Sequence, residues 1–116
     1  MNYPRVDLVE RIRSIAERKD RFSYDVRGRA FVDMGIVAAY RATKGERFED
    51  LPEVLQHAFE HEGIVGAWRD PQDGKIYYDS CRLFTDRQSA MAFARAQNQR
   101  SIFNINRMQE IIVNAA

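Results

Sequence analysis

The stretch from Gly63 to Ile105 constrains the fold more than any other part of the chain. Ile64–Arg69 reads as a short β run. Asp70-Pro71-Gln72-Asp73-Gly74 reads as a turn, because proline presets φ at the second position and Asp73-Gly74 tolerates a left-handed backbone. Lys75–Phe84 is the return strand. Its alternation places Ile76, Tyr78 and Ser80 on one face and Tyr77, Asp79 and Cys81 on the other. Trp68 and Tyr78 read as a cross-strand aromatic pair. Thr85 and Gln88 form a capping-box pattern for a helix over Asp86–Asn98, with Ala90, Met91, Phe93, Ala94 and Gln97 toward the sheet. Ser101–Ile105 supplies a third strand and Gln109–Val113 a fourth. A strand–strand–helix–strand unit over about 64–105 folds most simply as a small antiparallel sheet with its helix on one face.

Before residue 63 the periodicity predicts three helices. Val6, Val9, Ile12 and Ile15 or Ala16 recur at helical spacing within Arg5–Asp20. Phe31, Met34, Val37, Ala38 and Arg41 do so within Ala30–Lys44, with Gly45 at the C-cap position. Leu51–Glu62 starts with Asp50, Pro52 and Glu53 and stops at Gly63, burying Val54, Leu55, Ala58 and Phe59. Between the first two lies Arg21–Arg29 (RFSYDVRGR), a loop or short strand. It either drops Phe22 and Tyr24 into the core or offers them, with Arg27 and Arg29, as a stacking and phosphate platform. The expected architecture is α+β in a single domain spanning 1–116. Its helical part, 1–62, packs against or beside a ββαβ part, 63–116.

The chain's 116 residues, 45% of them hydrophobic, suffice for one modest core. No run approaches the roughly 20 apolar residues that cross a bilayer, and no apolar segment follows the N-terminal charges. The single cysteine, Cys81, fits a reducing compartment, so a soluble cytoplasmic protein is expected. The net charge of +1 conceals segregation. Residues 4–45 hold ten Lys/Arg against six Asp/Glu, residues 46–62 hold one against six, and the remainder seven against five. Fifteen of the eighteen basic residues are arginine, whose planar fork suits a recognition surface.

The pattern Gly66, Trp68, Asp70, Pro71, Gly74, Lys75, Tyr78 and Asp79, followed by a capped Ala-rich helix and Asn98, Gln99, Ile102 and Phe103, resembles a short module of uncharacterised phage and prophage proteins. The likeness covers about residues 65–105 and departs from the module where Ala67 replaces a frequent second glycine. It implies a mobile-element origin in a bacterial host and carries over no catalytic residue. Small phage proteins often act by binding host proteins, including defence systems such as CRISPR.

The residues themselves supply no catalytic set. His57-Ala58-Phe59-Glu60-His61 matches H-x-x-E-H, which puts two imidazoles one helical turn apart with a carboxylate between them. A third ligand is not evident, so no metal or cofactor is expected. Cys81 lies mid-strand and reads as a small core residue. Asp70, Asp73 and Asp79 lack the spacing of a calcium loop. Asp79 and Glu110 form an acid pair only if the fold brings them together. The expected function is therefore non-enzymatic, the binding of a host protein. The candidate contact residues are Arg11, Arg18, Arg27 and Arg29 on the basic side and Glu53, Glu60 and Glu62 on the acidic side. The alternative is nucleic-acid binding, with Arg82, Arg87, Arg95, Arg100 and Arg107 joining the same basic surface.

Overall fold

The computed structural model describes residues 3–41 and 50–113, with side chains from Asp7 onward. In chain order the elements are α1 (Tyr3–Ala16), β1 (Arg21–Asp25), β2 (Ala30–Phe31), β3 (Ile36–Ala39), α2 (Leu51–Glu60), β4 (Ile64–Arg69), β5 (Ile76–Phe84), α3 (Arg87–Ala96), β6 (Ser101–Asn104) and β7 (Gln109–Ile112). The strands form one antiparallel sheet in the order β2-β1-β4-β5-β3-β6-β7. The class is α+β, as expected, but the sheet has seven strands rather than three or four.

The helix expected over Ala30–Lys44 is the principal correction. Its described part, up to Arg41, forms β2 and β3, and the positions of Lys44 and Gly45 lie outside the described residues. The apolar residues at helical spacing also serve a strand buried on both faces. Ile36 and Ala38 lie under α3, while Val37 packs with Ile64 and Cys81 on the opposite face. Gly35 supplies the decisive local geometry at φ +100, where a Cβ would meet Leu83 Cδ1 at 2.6 Å. Phe31 and Met34, expected inside, remain 47% and 66% exposed. β3 inserts between β5 and β6, so the third strand of the ββαβ unit is not the neighbour of the second.

The other expected elements form, with local corrections. The 70–74 turn joins β4 to β5, with Gly74 N–H donating to the Asp70 carbonyl at 2.7 Å. Tyr78 faces Ala67, and it is Tyr77 that pairs with Trp68, their rings stacked at 4.9 Å and 18°. Asp86, not Thr85, caps α3, its carboxylate accepting from Ser89 N at 2.8 Å. Asp50 stands at the N-cap position of α2, where its side chain makes no capping bond to the helix, and Pro52 occupies the first turn. α1 buries Leu8, Ile12, Ile15 and Ala16, a stripe turned toward Leu8, with Val9 partly buried; the Val6 side chain lies outside the described residues.

All three helices cover one face of the sheet. Leu8 and Ile12 of α1 and Leu55 and Ala58 of α2 pack on Phe22, Tyr24, Val65 and Tyr78. Ala90 and Ala94 of α3, both fully buried, let that helix lie close over Ile36, Ala38 and Ile102. Among the described residues no helix is long and apolar enough to cross a membrane.

Candidate partner-binding groove

α1 and the β1–β2 hairpin flank a groove of about 710 Å³, lined by Asp7, Glu10, Arg11, Arg18, Tyr24, Arg29 and Phe31 among others. The hairpin turn is set by Asp25, whose Oδ1 accepts from the backbone N–H groups of Arg27 and Gly28, each at 3.0 Å. Arg29 follows at φ 54, a left-handed conformation that costs a side-chain-bearing residue on the order of 1 kcal/mol. That geometry brings Arg29 into the wall shared with Arg11 and Arg18 of α1.

Phe31 sits on the sheet's edge strand, in register with Tyr24. Its ring meets Phe22 and Tyr24 edge-on, at 6.2 and 5.7 Å, and Lys19 Nζ lies 5.1 Å from its centroid. Tyr24 is 2% exposed, and its hydroxyl has no hydrogen-bond partner among the described residues. Arg11, Arg18 and Arg29 are exposed, and among the described residues no hydrogen bond or ion pair engages their guanidinium groups. A buried hydroxyl left unmatched costs about 1–3 kcal/mol, so the groove holds unspent donors beside an exposed ring.

Arg11, Arg18 and Arg29 thus come together. Arg27 does not join them: its Nη2 donates to the carbonyls of Phe59 and His61 at 2.5 and 3.1 Å, capping the end of α2. Glu60 accepts from Gln56 Nε2 at 2.8 Å, and Glu53 and Glu62 are exposed. The acidic candidates lie on α2 or just beyond it, outside the groove lining. The stacking platform read from RFSYDVRGR is absent, because Phe22 and Tyr24 are buried in the core. Arg82 lies over the rings of Phe84 and Phe93, at 5.4 and 5.6 Å, so it does not extend the basic wall.

The His57–His61 pair stacks at 3.8 Å and 9°, with Tyr40 against both rings. His57 Nδ1 shares a hydrogen bond with Ser80 Oγ at 2.9 Å, and burial lowers its pKa, helped by the adjacent His61. Among the described residues no group of three His, Cys, Asp or Glu side chains is placed to hold a metal. Cys81 is buried and its thiol pKa is pushed far up by desolvation, the opposite of an activated nucleophile. Asp79 and Glu110 line one cavity on the far face of the sheet.

Phe31 is the groove residue that the helical periodicity hid, since it reads as part of a helix stripe, whereas Tyr24 reads either as core or as part of a stacking platform. The sequence signal for Tyr24 is the interleaving of aromatic and basic residues over 21–29, which stops short of Phe31. Compared with known proteins, the chain matches no protein-family model, no curated protein and no solved structure.

Proposed function

We propose that this chain is a small non-enzymatic accessory protein of a phage or mobile element that acts by binding a host protein, with a defence system such as CRISPR as the target class. The resemblance over residues 65–105 supports the origin. One observation supports the surface: three exposed arginines whose guanidinium groups have no partner among the described residues line one groove with an exposed phenylalanine. A partner that fits presents carboxylates to the guanidinium forks and an apolar side chain to Phe31. Arginine and aromatic side chains are the types that dominate such contacts.

The test is affinity capture from host lysate, with and without nuclease, using the wild type, Arg18→Ala and Arg29→Gly. A specific protein retained after nuclease, and lost in both variants while they melt like the wild type, supports the proposal. Arg29→Gly is informative because glycine relieves the left-handed strain, so a binding loss is not a folding loss. Retention unchanged in both variants, or no specific partner, refutes the groove as the surface. The nucleic-acid alternative draws on the same unpaired guanidinium groups, and it predicts capture that nuclease abolishes and that falls steeply with salt. Asp7 and Glu10 within the groove and the burial of Phe22 and Tyr24 weigh against it.

A further inference from the structure

The sheet ends on two unlike edges. β2 contributes two residues, whereas β7 offers four, Gln109–Ile112, and among the described residues no strand pairs with its outer side. The hydrogen bonds on the inner side fix which groups face outward. Val113 N–H donates to the Arg100 carbonyl at 2.7 Å, and the register sets Ile111 opposite Ile102 and Gln109 opposite Asn104. Residues of an antiparallel ladder alternate between its two sides. Gln109, Ile111 and Val113 therefore bond to β6, and the main-chain N–H and C=O groups of Glu110 and Ile112 point out of the sheet's edge. Both residues are exposed, and none of these groups has a hydrogen-bond partner among the described residues.

An open edge is a template for another strand, and edges are commonly blunted by proline, lysine, a bulge or an outward charge. β7 has no proline or lysine and pairs with β6 without a bulge. Its single charge, Glu110, is turned back over β6, where the carboxylate accepts from Ser101 Oγ at 2.7 Å. The apolar Ile112 stays 49% exposed beside it.

The strand's own sequence supplies a match for this edge. A two-fold axis beside Ile111 sets Glu110 opposite Ile112 of a second copy, and Ile112 opposite that copy's Glu110. The outward N–H groups of each copy then donate to the outward carbonyls of the other. Ile111 meets its own counterpart in a non-hydrogen-bonded pair, the closer of the two pair types, on the face where it already packs with Ile102 and the alanines of α3. An axis at Glu110 would instead set two carboxylates opposite each other. It would also leave Ile112 facing Met108, whose backbone at φ 50 departs from extended geometry.

We propose that this chain pairs with a second copy of itself along β7, antiparallel and with the two-fold axis at Ile111, joining two sheets into one. The contact is isologous, so it closes at a dimer. The groove flanked by β1–β2 lies toward the opposite edge of the sheet and stays open in both copies.

The experiment is sedimentation equilibrium of the full chain from about 5 μM to about 1 mM, because so short an edge makes a small, weak interface. The expected result is a mass that rises with concentration toward that of a dimer. Ile112→Pro removes an outward N–H and no bond to β6. It should weaken association by about tenfold or more, while melting of the dilute protein stays near wild type. Ile111→Cys should oxidise to a disulfide-linked dimer, since Cα atoms of such a pair lie about 4.5 Å apart, within disulfide reach. Gln109→Cys, two positions from the axis, should not, and the buried Cys81 stays out of the exchange. Should the proline variant fail to fold, Ile112→Glu and Ile112→Lys carry the test. Each faces Glu110 of the second copy, so glutamate should weaken association by about fivefold and lysine should preserve or tighten it. A monomer throughout the range, undiminished association in the folded proline variant, equal effects of glutamate and lysine, or equal cross-linking of the two cysteine variants would overturn the proposal.

Discussion

Replacing Arg27 by methionine separates two roles that the sequence leaves open for it. Methionine keeps much of the aliphatic stem and removes the guanidinium, which donates to the Phe59 and His61 carbonyls at 2.5 and 3.1 Å. Hydrogen bonds with one ionised partner contribute about 1.5–3 kcal/mol each, and a cation at a helix C-terminus about 0.3–1 kcal/mol. Arg27 is exposed, so water replaces much of what is lost, and the sum falls toward about 2 kcal/mol. A second contact acts in the same direction. Gly63 at φ +81 is so close beneath the guanidinium that a Cβ there would lie 2.6 Å from Nη1, while its carbonyl accepts from Val26 N at 2.9 Å. Arg27 therefore ties the β1–β2 turn to the end of α2. At about 4 °C per kcal/mol for a chain of this size, the variant should melt about 8 °C below wild type. Calorimetry measures the shift, and capture of a partner well below the transition measures binding, which should be retained. Wild-type melting together with lost binding would refute the capping role and return Arg27 to the contact surface.

Three further outcomes follow from buried groups. Tyr78 is fully buried with a hydroxyl lacking a partner among the described residues, and desolvation pushes its pKa up to about 12; Tyr78→Phe should raise the unfolding free energy by up to about 1 kcal/mol in urea titration, and a loss would reveal a hidden partner. Ala94→Leu should overpack the α3–sheet contact and cost about 1–3 kcal/mol, whereas Ala92→Leu on the exposed side should stay within about 0.5 kcal/mol. His57 has a pKa below its ordinary 6.5, from burial first and His61 second, with Glu60 acting in the opposite direction. The folded state therefore binds this proton less readily than the unfolded chain, so stability is complete above the ordinary value and falls as pH drops through it. Urea midpoints measured from about pH 7.5 to about pH 5 should decline less steeply in His57→Gln, and parallel slopes would exclude His57 as the source.

What the sequence made legible was local. The β4–β5 hairpin, α3 and α2 each carry their own start, stop or turn chemistry within a few residues, and the structure moves their boundaries by at most two. Residues 30–41 were illegible because their pattern is ambiguous in isolation. A strand buried on both faces shows no alternation, and Phe31, Val37 and Ala38 fit a helix stripe by coincidence. Only the pairing of β3 with β5 and β6 decides the matter, and that lies some forty-five and sixty-five residues away in the chain. The candidate site divides in the same way. Arg11, Arg18 and Arg29 were found by charge, but Tyr24's unmatched hydroxyl and the exposure of Phe31 arise from the hairpin meeting α1. The capping contact of Arg27 was illegible because a guanidinium that caps a distant helix looks, in sequence, like any surface cation.

The position of β3 has a consequence for how the molecule comes into being. Because β3 fills the slot between β5 and β6, residues 63–113 cannot close their own sheet. A nascent chain holds Ile36–Ala39 without two-sided pairing until Ser101–Asn104 has emerged, so the fold is withheld until late in synthesis. Residues 63–113 produced alone should show no cooperative melting, and a sharp transition in that fragment would refute this. A recombination junction near residue 63 would then deliver two pieces that fold only in each other's company.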